Sequence, residues 1–178
     1  MTRRKSKEQA QQQPYTPVQQ FPWFEVRYYP EAIFATIYTT ARTFREITAP
    51  AFKTLADYIF GGNDTGQRIA MTAPVYIEFY ENGSSMSFVM PSEYEMEDLP
   101  NPMNPHIKIE RAQPGFVAAI TFGGYASDEK IIEESEKLRK YLKKNNIEWT
   151  GSFRFLGYSS PTQHQERRNE VAVSIIWE

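Results

Sequence analysis

One pattern, a strand followed by a helix, occurs twice in this chain and restricts the folds open to it. The first copy begins with residues 29–37, and the segment 113–121 repeats it 84 residues later. We predict that each of these two segments is a strand. A second match follows in each copy, where apolar residues recur at helical spacing. The aligned helical residues are Leu55, Tyr58 and Ile59 in the first copy and Leu138, Tyr141 and Leu142 in the second.

Both predicted helices begin at residues suited to that position. Thr43 can accept a hydrogen bond from the amide three residues on, and Glu46 can reach back toward it in a capping box. Ser127 caps the second helix, and the acidic residues after it suit the positive end of the helix dipole. Gly61 and Gly62 end the first helix. We therefore predict two amphipathic helices.

A pair of strands is predicted after each helix, and one more strand lies between the two halves. The Asn82-Gly83 dipeptide is a strong signal for a β-hairpin in the first pair. The predicted strands are about 67–80 and 86–90 after the first helix, 151–158 and 169–177 after the second, and 106–110 between the halves.

The fold class that follows is α+β. Two β-α-β-β repeats, about 24–90 and 106–177, are expected to be related by a pseudo-twofold axis. Their strands form a strongly curved, mainly antiparallel sheet, a distorted barrel, and the two helices pack on it.

Composition limits the number of domains and the classes of partner. With 178 residues, 40% of them hydrophobic, the chain can bury one good core but not two. Residues 1–20 are rich in Gln, Lys and Arg, so we predict a disordered tail there and a single domain over 21–178. A net charge of -2 disfavours general nucleic-acid binding, and no apolar run is long enough to enter a membrane. The lack of cysteine is compatible with the cytoplasm, which is the location we expect.

The sequence carries no standard catalytic or metal-binding signature. It has no cysteine, and its two histidines, His106 and His164, lie far apart. His106 begins an alternating strand after a proline, and His164 sits in a polar, Gln-rich loop. For both, an ordinary surface role is favoured over metal ligation.

Arg167, Arg168 and Glu170 stand where a polar loop becomes the last, very apolar strand. Two guanidinium groups at this point could bind the carboxylates of a planar amphipathic ligand, with bidentate geometry that lysine cannot match. Alternatively, one of them pairs with Glu170 or with Glu166 and only holds the corner. Consecutive residues of a strand point to opposite faces of the sheet, which favours one arginine in each role.

Five blocks of sequence, taken in order, closely resemble the SOUL or haem-binding protein family. The resemblance covers about 24–177. Proteins of this family bind haem or other tetrapyrroles in an open hydrophobic groove, on a fold shared with effector-binding domains of the gyrase-inhibitor type. The matching blocks are Lys53–Tyr58, Arg68–Val75, Ser87–Tyr94, Phe122–Tyr125 and Arg167–Val171.

The resemblance also implies candidate site residues. In one branch of the family an axial histidine follows a Glu-x-Arg sequence, and that position here is Tyr28, the candidate iron ligand. In the other branch basic side chains hold the ligand, but the aligned positions here are Ala49, Asp57 and Gln163, so other basic residues must substitute. The predicted ligand-binding residues are Tyr28, Arg45, Phe52, Lys53, Leu55, Arg68, Met71, Arg167, Arg168 and Glu170.

Three functions are compatible with this reasoning. The leading hypothesis is a carrier or buffer that binds haem or another tetrapyrrole and is not an enzyme. The second is an effector-sensing or protein-interaction module whose groove takes other hydrophobic ligands. The third is a hydrolase that uses Glu170, which no motif in the sequence supports.

Overall fold

The structure, a computed structural model, describes residues 10–178. Two α-helices and eleven β-strands are formed within that range. The helices are α1 (Phe44–Ile59) and α2 (Asp128–Lys144), and a short 3₁₀ helix covers Met96–Asp98. The strands are β1 (Gln11–Gln12), β2 (Thr16–Gln20), β3 (Glu25–Tyr29), β4 (Ala32–Thr39), β5 (Thr72–Ala73), β6 (Val75–Tyr80), β7 (Gly83–Val89), β8 (Ile107–Ala112), β9 (Gly115–Phe122), β10 (Trp149–Gly157) and β11 (Asn169–Ile175).

Nine of the strands form one antiparallel sheet that curls into a half-barrel, and the predicted α+β fold class is confirmed. The strand order is β2-β3-β9-β11-β10-β6-β7-β4-β8, while β1 pairs separately with β5. On one side of the sheet centre the order is β6, β7 and β4, which are two strands after α1 and then the strand before it. On the other side the order is β10, β11 and β9, which are the two strands after α2 and then the strand before it. Two repeats would give this order, but duplication of the sequence stays a prediction.

The residues that cap the N-termini of the two helices were predicted correctly. The Thr43 hydroxyl accepts a hydrogen bond from the Glu46 amide at 3.2 Å. The Glu46 carboxylate reaches back to the amide of Arg42, one residue earlier than in a standard capping box. In α2, the Ser127 hydroxyl accepts from the Lys130 amide at 3.1 Å. Each cap satisfies amide groups that have no partner inside the helix.

The sheet is apolar on both faces, so the strands build two cores. On β10 and β11, Phe155 and Val171 belong to the core under the helices, whereas Leu156 and Ala172 belong to the core on the concave face. This alternation follows from the two-residue period of a strand. The helix-side core is the larger one, and the concave core is built around Tyr29 and other residues whose rings line the hollow of the half-barrel.

Gln11–Gln12 and Thr16–Gln20 form paired strands, so the prediction of a disordered tail is wrong for this part of the chain. β2 pairs with β3, and β1 pairs with β5. Gln13 is buried, its amide donates to the Ala73 carbonyl at 2.8 Å, and its side chain accepts from the Tyr76 hydroxyl. A strand at the edge of a sheet is held by backbone hydrogen bonds and needs no apolar face of its own. The polar composition of this segment therefore did not indicate a strand. Residues 1–9 of the predicted tail lie outside the described residues.

The predicted hairpin is confirmed, since β6 and β7 pair on either side of the turn. Gly83 has a positive φ of 157°, and a β-carbon there would collide with the carbonyl oxygen of Thr39. Glycine is therefore required both by the backbone and by the close approach of β4.

None of the helices formed by residues 10–178 combines the length and the apolar character needed to cross a bilayer.

Candidate functional site

A row of paired residues crosses the sheet at the end where β10 turns into β11. Asn169 pairs with Phe122 and with Gly157, Gly157 pairs with Val75, and Val75 pairs with Phe88. Neighbouring strands lie about 4.8 Å apart, so Asn169 and Phe88 are separated by roughly 14 Å. This row is the floor of the candidate site.

The α1 helix lies over part of this floor. The ring of Phe44 meets the ring of Phe155 edge to face, with 5.2 Å between centroids. Two turns later, Phe52 meets Phe88 in the same way, also at 5.2 Å. Phe44 and Phe52 are only partly buried, so each also presents apolar surface to the outside.

The start of α1 is joined to the start of α2. The carboxylate of Asp128 accepts hydrogen bonds from the amides of Phe44, at 2.7 Å, and Arg45, at 3.3 Å. Tyr125 precedes Asp128 by three residues, so at most about 10 Å of extended chain separates them. Arg45 and Tyr125 therefore belong to one region of the surface.

The loop between β10 and β11 completes this region. The guanidinium carbon of Arg167 lies 4.5 Å from the centroid of the Tyr125 ring, and the Tyr125 hydroxyl contacts Nδ1 of His164 at 2.5 Å. We call the area formed by Arg45, Phe52, Tyr125, His164 and Arg167 the α1–loop surface. It combines exposed cations, an imidazole and aromatic rings in one place.

Arg167 also orders the loop itself. Its Nη1 donates to the carbonyl oxygens of Ser160, at 2.8 Å, and Gln163, at 2.5 Å. Its Nε is buried and has no hydrogen-bond partner in the described part of the chain. A buried N–H without a partner costs free energy.

Arg168 points to the other face of the sheet, as strand alternation predicts. Its guanidinium lies 4.0 Å from the centroid of the Tyr158 ring, and its Nη2 contacts the carboxylate of Glu170 at 3.3 Å. Arg167 therefore lies against Tyr125 on the helix side, while Arg168 takes part in an ion pair with Glu170 on the concave side.

Glu170 lies at the centre of a buried charge network on the concave side. Its side chain has no exposed surface. Both of its oxygens accept hydrogen bonds from the guanidinium of Arg27, and Thr121 donates to it at 3.0 Å. Burial alone would raise the pKa of Glu170, but the hydrogen bonds and the positive charge of Arg27 outweigh burial and lower it.

Arg27 is the residue of this network that the sequence reasoning missed. It is 2% exposed, pairs with Glu25 as well as Glu170, donates to the Tyr29 hydroxyl at 3.1 Å and covers the Tyr15 ring. Burial lowers the pKa of Arg27, but the hydrogen bond to Glu170 and its negative charge raise the pKa by more than burial lowers it. The guanidinium therefore remains charged. A charged residue at an inward position of an alternating strand was the signal that could have identified it.

Two predicted site residues prove unsuited to the α1–loop surface. Leu55 has no exposed area and packs in the helix-side core, so the structure contradicts a direct ligand contact for it. Tyr28 pairs with Phe116, six residues from Phe122 along β9, which places it about 20 Å from the floor of the site. The structure therefore contradicts the idea that Tyr28 shares one ligand with Arg167.

The other predicted residues lie along α1 and the segment after it. Lys53 is exposed and pairs with Asp57 at 3.1 Å. Arg68 bridges to Phe60 at the C-terminal end of α1, about 22 Å from Arg45 along the helix axis. Met71 is partly buried against the helix-side core. Lys53 is thus close to the α1–loop surface, whereas Arg68 is remote from its centre.

A separate hollow of about 420 Å³ lies on the concave face. Its walls include Tyr38, Tyr76, Glu78, Glu110 and Arg154. Burial and hydrogen bonds to Glu110 raise the pKa of Tyr38 to about 12. The two carboxylates make this hollow unfavourable for a ligand that carries several negative charges.

Among residues 10–178, no three His, Asp or Glu side chains come together in a way that could hold a metal ion.

Comparison with known proteins gives one family and one fold. The sequence model of the SOUL heme-binding protein family matches residues 10–174. Heme-binding protein 1 of Xenopus tropicalis is 31% identical over 155 residues, which cover 83% of this chain and 81% of that protein. Heme-binding protein 2 of Homo sapiens is 29% identical over 156 residues, covering 83% and 76%. The crystal structure of the EcmrR C-terminal domain matches with a TM-score of 0.65 at 10% identity, covering 89% of this chain and all of that one, which is a likeness of fold alone.

Proposed function

Because the chain belongs to the SOUL heme-binding protein family, we propose that it binds haem or another tetrapyrrole in a hydrophobic groove, as a carrier or buffer. The observation that carries this proposal is the family match over residues 10–174, which includes nearly all of the described chain. The relatives named above, haem-binding proteins 1 and 2, support the same class of ligand.

The α1–loop surface is the binding area that we propose. The row from Asn169 to Phe88 lies beneath this surface and both of its end residues are buried, so a ligand would contact the side chains above the row. Phe52 and Tyr125 would contribute apolar contact, with Met71 at the margin. Arg45 and Arg167 would bind the carboxylate side chains of a tetrapyrrole, and Lys53 would add a weaker charge because Asp57 already neutralises it.

The residues present fit such a group. The guanidinium of Arg167 is held against the Tyr125 ring and would contribute positive charge to a ligand carboxylate. Arg45 takes part in no ion pair in the same range. The concave hollow is a poorer site for haem because Glu78 and Glu110 line it. When bound, haem supplies the iron and the absorption band, while the protein supplies apolar contact and counter-charges.

A role without catalysis is supported by the environment of Glu170. A general base must reach its substrate and must have a free lone pair. Glu170 has no exposed surface, and its oxygens already accept hydrogen bonds from Arg27 and Thr121. A hydrolase that uses Glu170 is therefore not favoured. The cytoplasmic location expected from the sequence stays a prediction.

A haemin titration followed at the Soret band tests this proposal. We expect saturable binding of one haem per chain, and loss of affinity when Arg45 and Arg167 are both replaced by Met. The Lys140→Met variant is the matched control, because Lys140 is an exposed cation on α2. A Soret change that never saturates, or that a protein without affinity for haem reproduces, would disprove haem binding.

A further inference from the structure

His164 occupies a position that its sequence context did not suggest. It lies in the exposed loop between β10 and β11. The imidazole of His164 contacts the hydroxyl of Tyr125, and this contact joins the loop to the Tyr125 segment. The contact is made by Nδ1 and measures 2.5 Å, and the ring centroids are 6.3 Å apart. The hydroxyl of Tyr125 and Nδ1 of His164 thus set the orientation of the imidazole in the structure.

The contact with Tyr125 leaves the other ring nitrogen free. No residue in the range 10–178 forms a hydrogen bond with Nε2 of His164. A histidine that binds a metal through Nε2 carries its proton on Nδ1, and that proton is usually donated to a neighbouring acceptor. The Tyr125 oxygen stands at the position where such an acceptor is needed.

The surroundings of this pair suit an anionic ligand. Arg167 covers the ring of Tyr125 at 4.5 Å, and its contact with the Gln163 carbonyl fixes the residue next to His164. The same guanidinium holds the buried Nε that lacks a partner. The imidazole of His164 and the guanidinium of Arg167 thus both contact the side chain of Tyr125.

The other histidine and the tyrosine predicted as iron ligand are remote from this surface. The sequence has no cysteine and only two histidines. The second, His106, directly precedes β8, which lies at one edge of the nine-stranded sheet. Tyr28 is about 20 Å from the floor of the site, as its pairing with Phe116 requires.

We infer that His164 is the axial ligand of haem iron at the α1–loop surface and that Tyr125 is the residue that orients it. The inference rests on the proposed function, since it needs haem at that surface. Nε2 of His164 binds the iron, and Nδ1–H donates to the oxygen of Tyr125. The protein thus contributes a nitrogen ligand as well as apolar contact.

The test compares ferric haemin with metal-free protoporphyrin IX, which has the same ring and carboxylates but no iron. Both are titrated into the full chain and into the variants His164→Ala, Tyr125→Phe and His106→Ala. Absorption and electron paramagnetic resonance spectra of the ferric complexes report the ligand, and circular dichroism checks that each variant is folded.

The inference predicts three results. The His164→Ala variant loses the spectral signature of a histidine ligand, and its affinity for haemin falls at least tenfold, while its affinity for protoporphyrin IX is unchanged. The Tyr125→Phe variant keeps the histidine ligand but shows an altered spectrum. The His106→Ala variant behaves as the unchanged chain.

Two results would overturn the inference and are distinguishable from each other. If haemin binds but His164→Ala leaves the spectrum unchanged, or weakens both ligands equally, His164 is not the axial ligand and the proposed function stands. If neither haemin nor protoporphyrin IX binds the unchanged chain, the proposed function fails and the inference fails with it.

Discussion

Replacement of Arg27 by Met tests the role of the buried charge network. The change keeps most of the apolar stem of the side chain and removes the guanidinium. Glu170, which has no exposed surface, then keeps Thr121 at 3.0 Å, Arg168 at 3.3 Å and Tyr158 as polar partners. Breaking a buried ion pair from one side costs about 3–5 kcal/mol, because a charge is left without its partner.

Since three polar partners remain, we expect the lower end of that range, about 3 kcal/mol. For a domain of this size, 1 kcal/mol shifts the melting temperature by about 2–4 °C, so a loss of roughly 6–12 °C is expected. Urea denaturation gives the free energy of unfolding, and scanning calorimetry gives the melting temperature. The double variant Arg27→Met/Glu170→Met should recover part of the loss, because the stranded carboxylate is gone.

The control for this experiment is Arg111→Met. Arg111 pairs with Glu31 at 2.7 Å, but both side chains are more than 40% exposed, so its loss should cost less than about 1 kcal/mol. If Arg27→Met is no more destabilising than Arg111→Met, Glu170 is not held by Arg27 and the account of the network is wrong.

Three further predictions follow from the same contacts. The pKa of Glu170 is lowered from its ordinary value of 4.5, so its stabilising effect is complete above that pH and is lost as the pH falls through the lowered pKa. Thermal melts should therefore show Glu170→Gln less stable than the unchanged chain at neutral pH, with a difference in melting temperature that shrinks in acid. A difference in melting temperature that does not change with pH would contradict this prediction. Deletion of residues 1–20 should lower the melting temperature by several degrees, because β1 and β2 are lost, and an unchanged melt would show that these strands add no stability. Replacing Arg45 and Arg167 by Met should weaken haemin binding at low salt more than at high salt, and an equal loss in titrations at both salt concentrations would rule out a charge effect.

The local signals in the sequence identified the elements that local chemistry decides. Thr43 and Ser127 cap their helices as predicted, and Asn82-Gly83 makes the predicted turn. These features depend on residues within a few positions of one another, so periodicity and turn chemistry are sufficient. The α+β class follows from their order along the chain.

The parts that failed depend on pairing across the chain. Arg27 and Glu170 are 143 positions apart, and nothing near Arg27 in the sequence indicates its partner. Residues 11–20 resemble a disordered tail because an edge strand needs no apolar face, and only its pairing with β3 and β5 reveals it. Leu55 was assigned to a ligand because the family match covers it, but its position on the inner face of α1 places it in the core.

His164 illustrates the same limit at the candidate site. Its Gln-rich neighbours indicate a surface loop, and the structure agrees that it is exposed. Its contact with Tyr125 is formed between segments 39 positions apart, so no local pattern could reveal it.

The most direct test of the central claim is to map where a tetrapyrrole binds. Metal-free protoporphyrin IX is titrated into the ¹⁵N-labelled chain, and the amide chemical shifts are followed by NMR; the ligand is diamagnetic, so signals close to it remain visible. We predict that the shifts cluster in the first half of α1, at Tyr125 and in residues 158–168. Shifts confined to the concave hollow around Tyr38 and Tyr76, or no shifts at all, would contradict the claim that the α1–loop surface is the binding site.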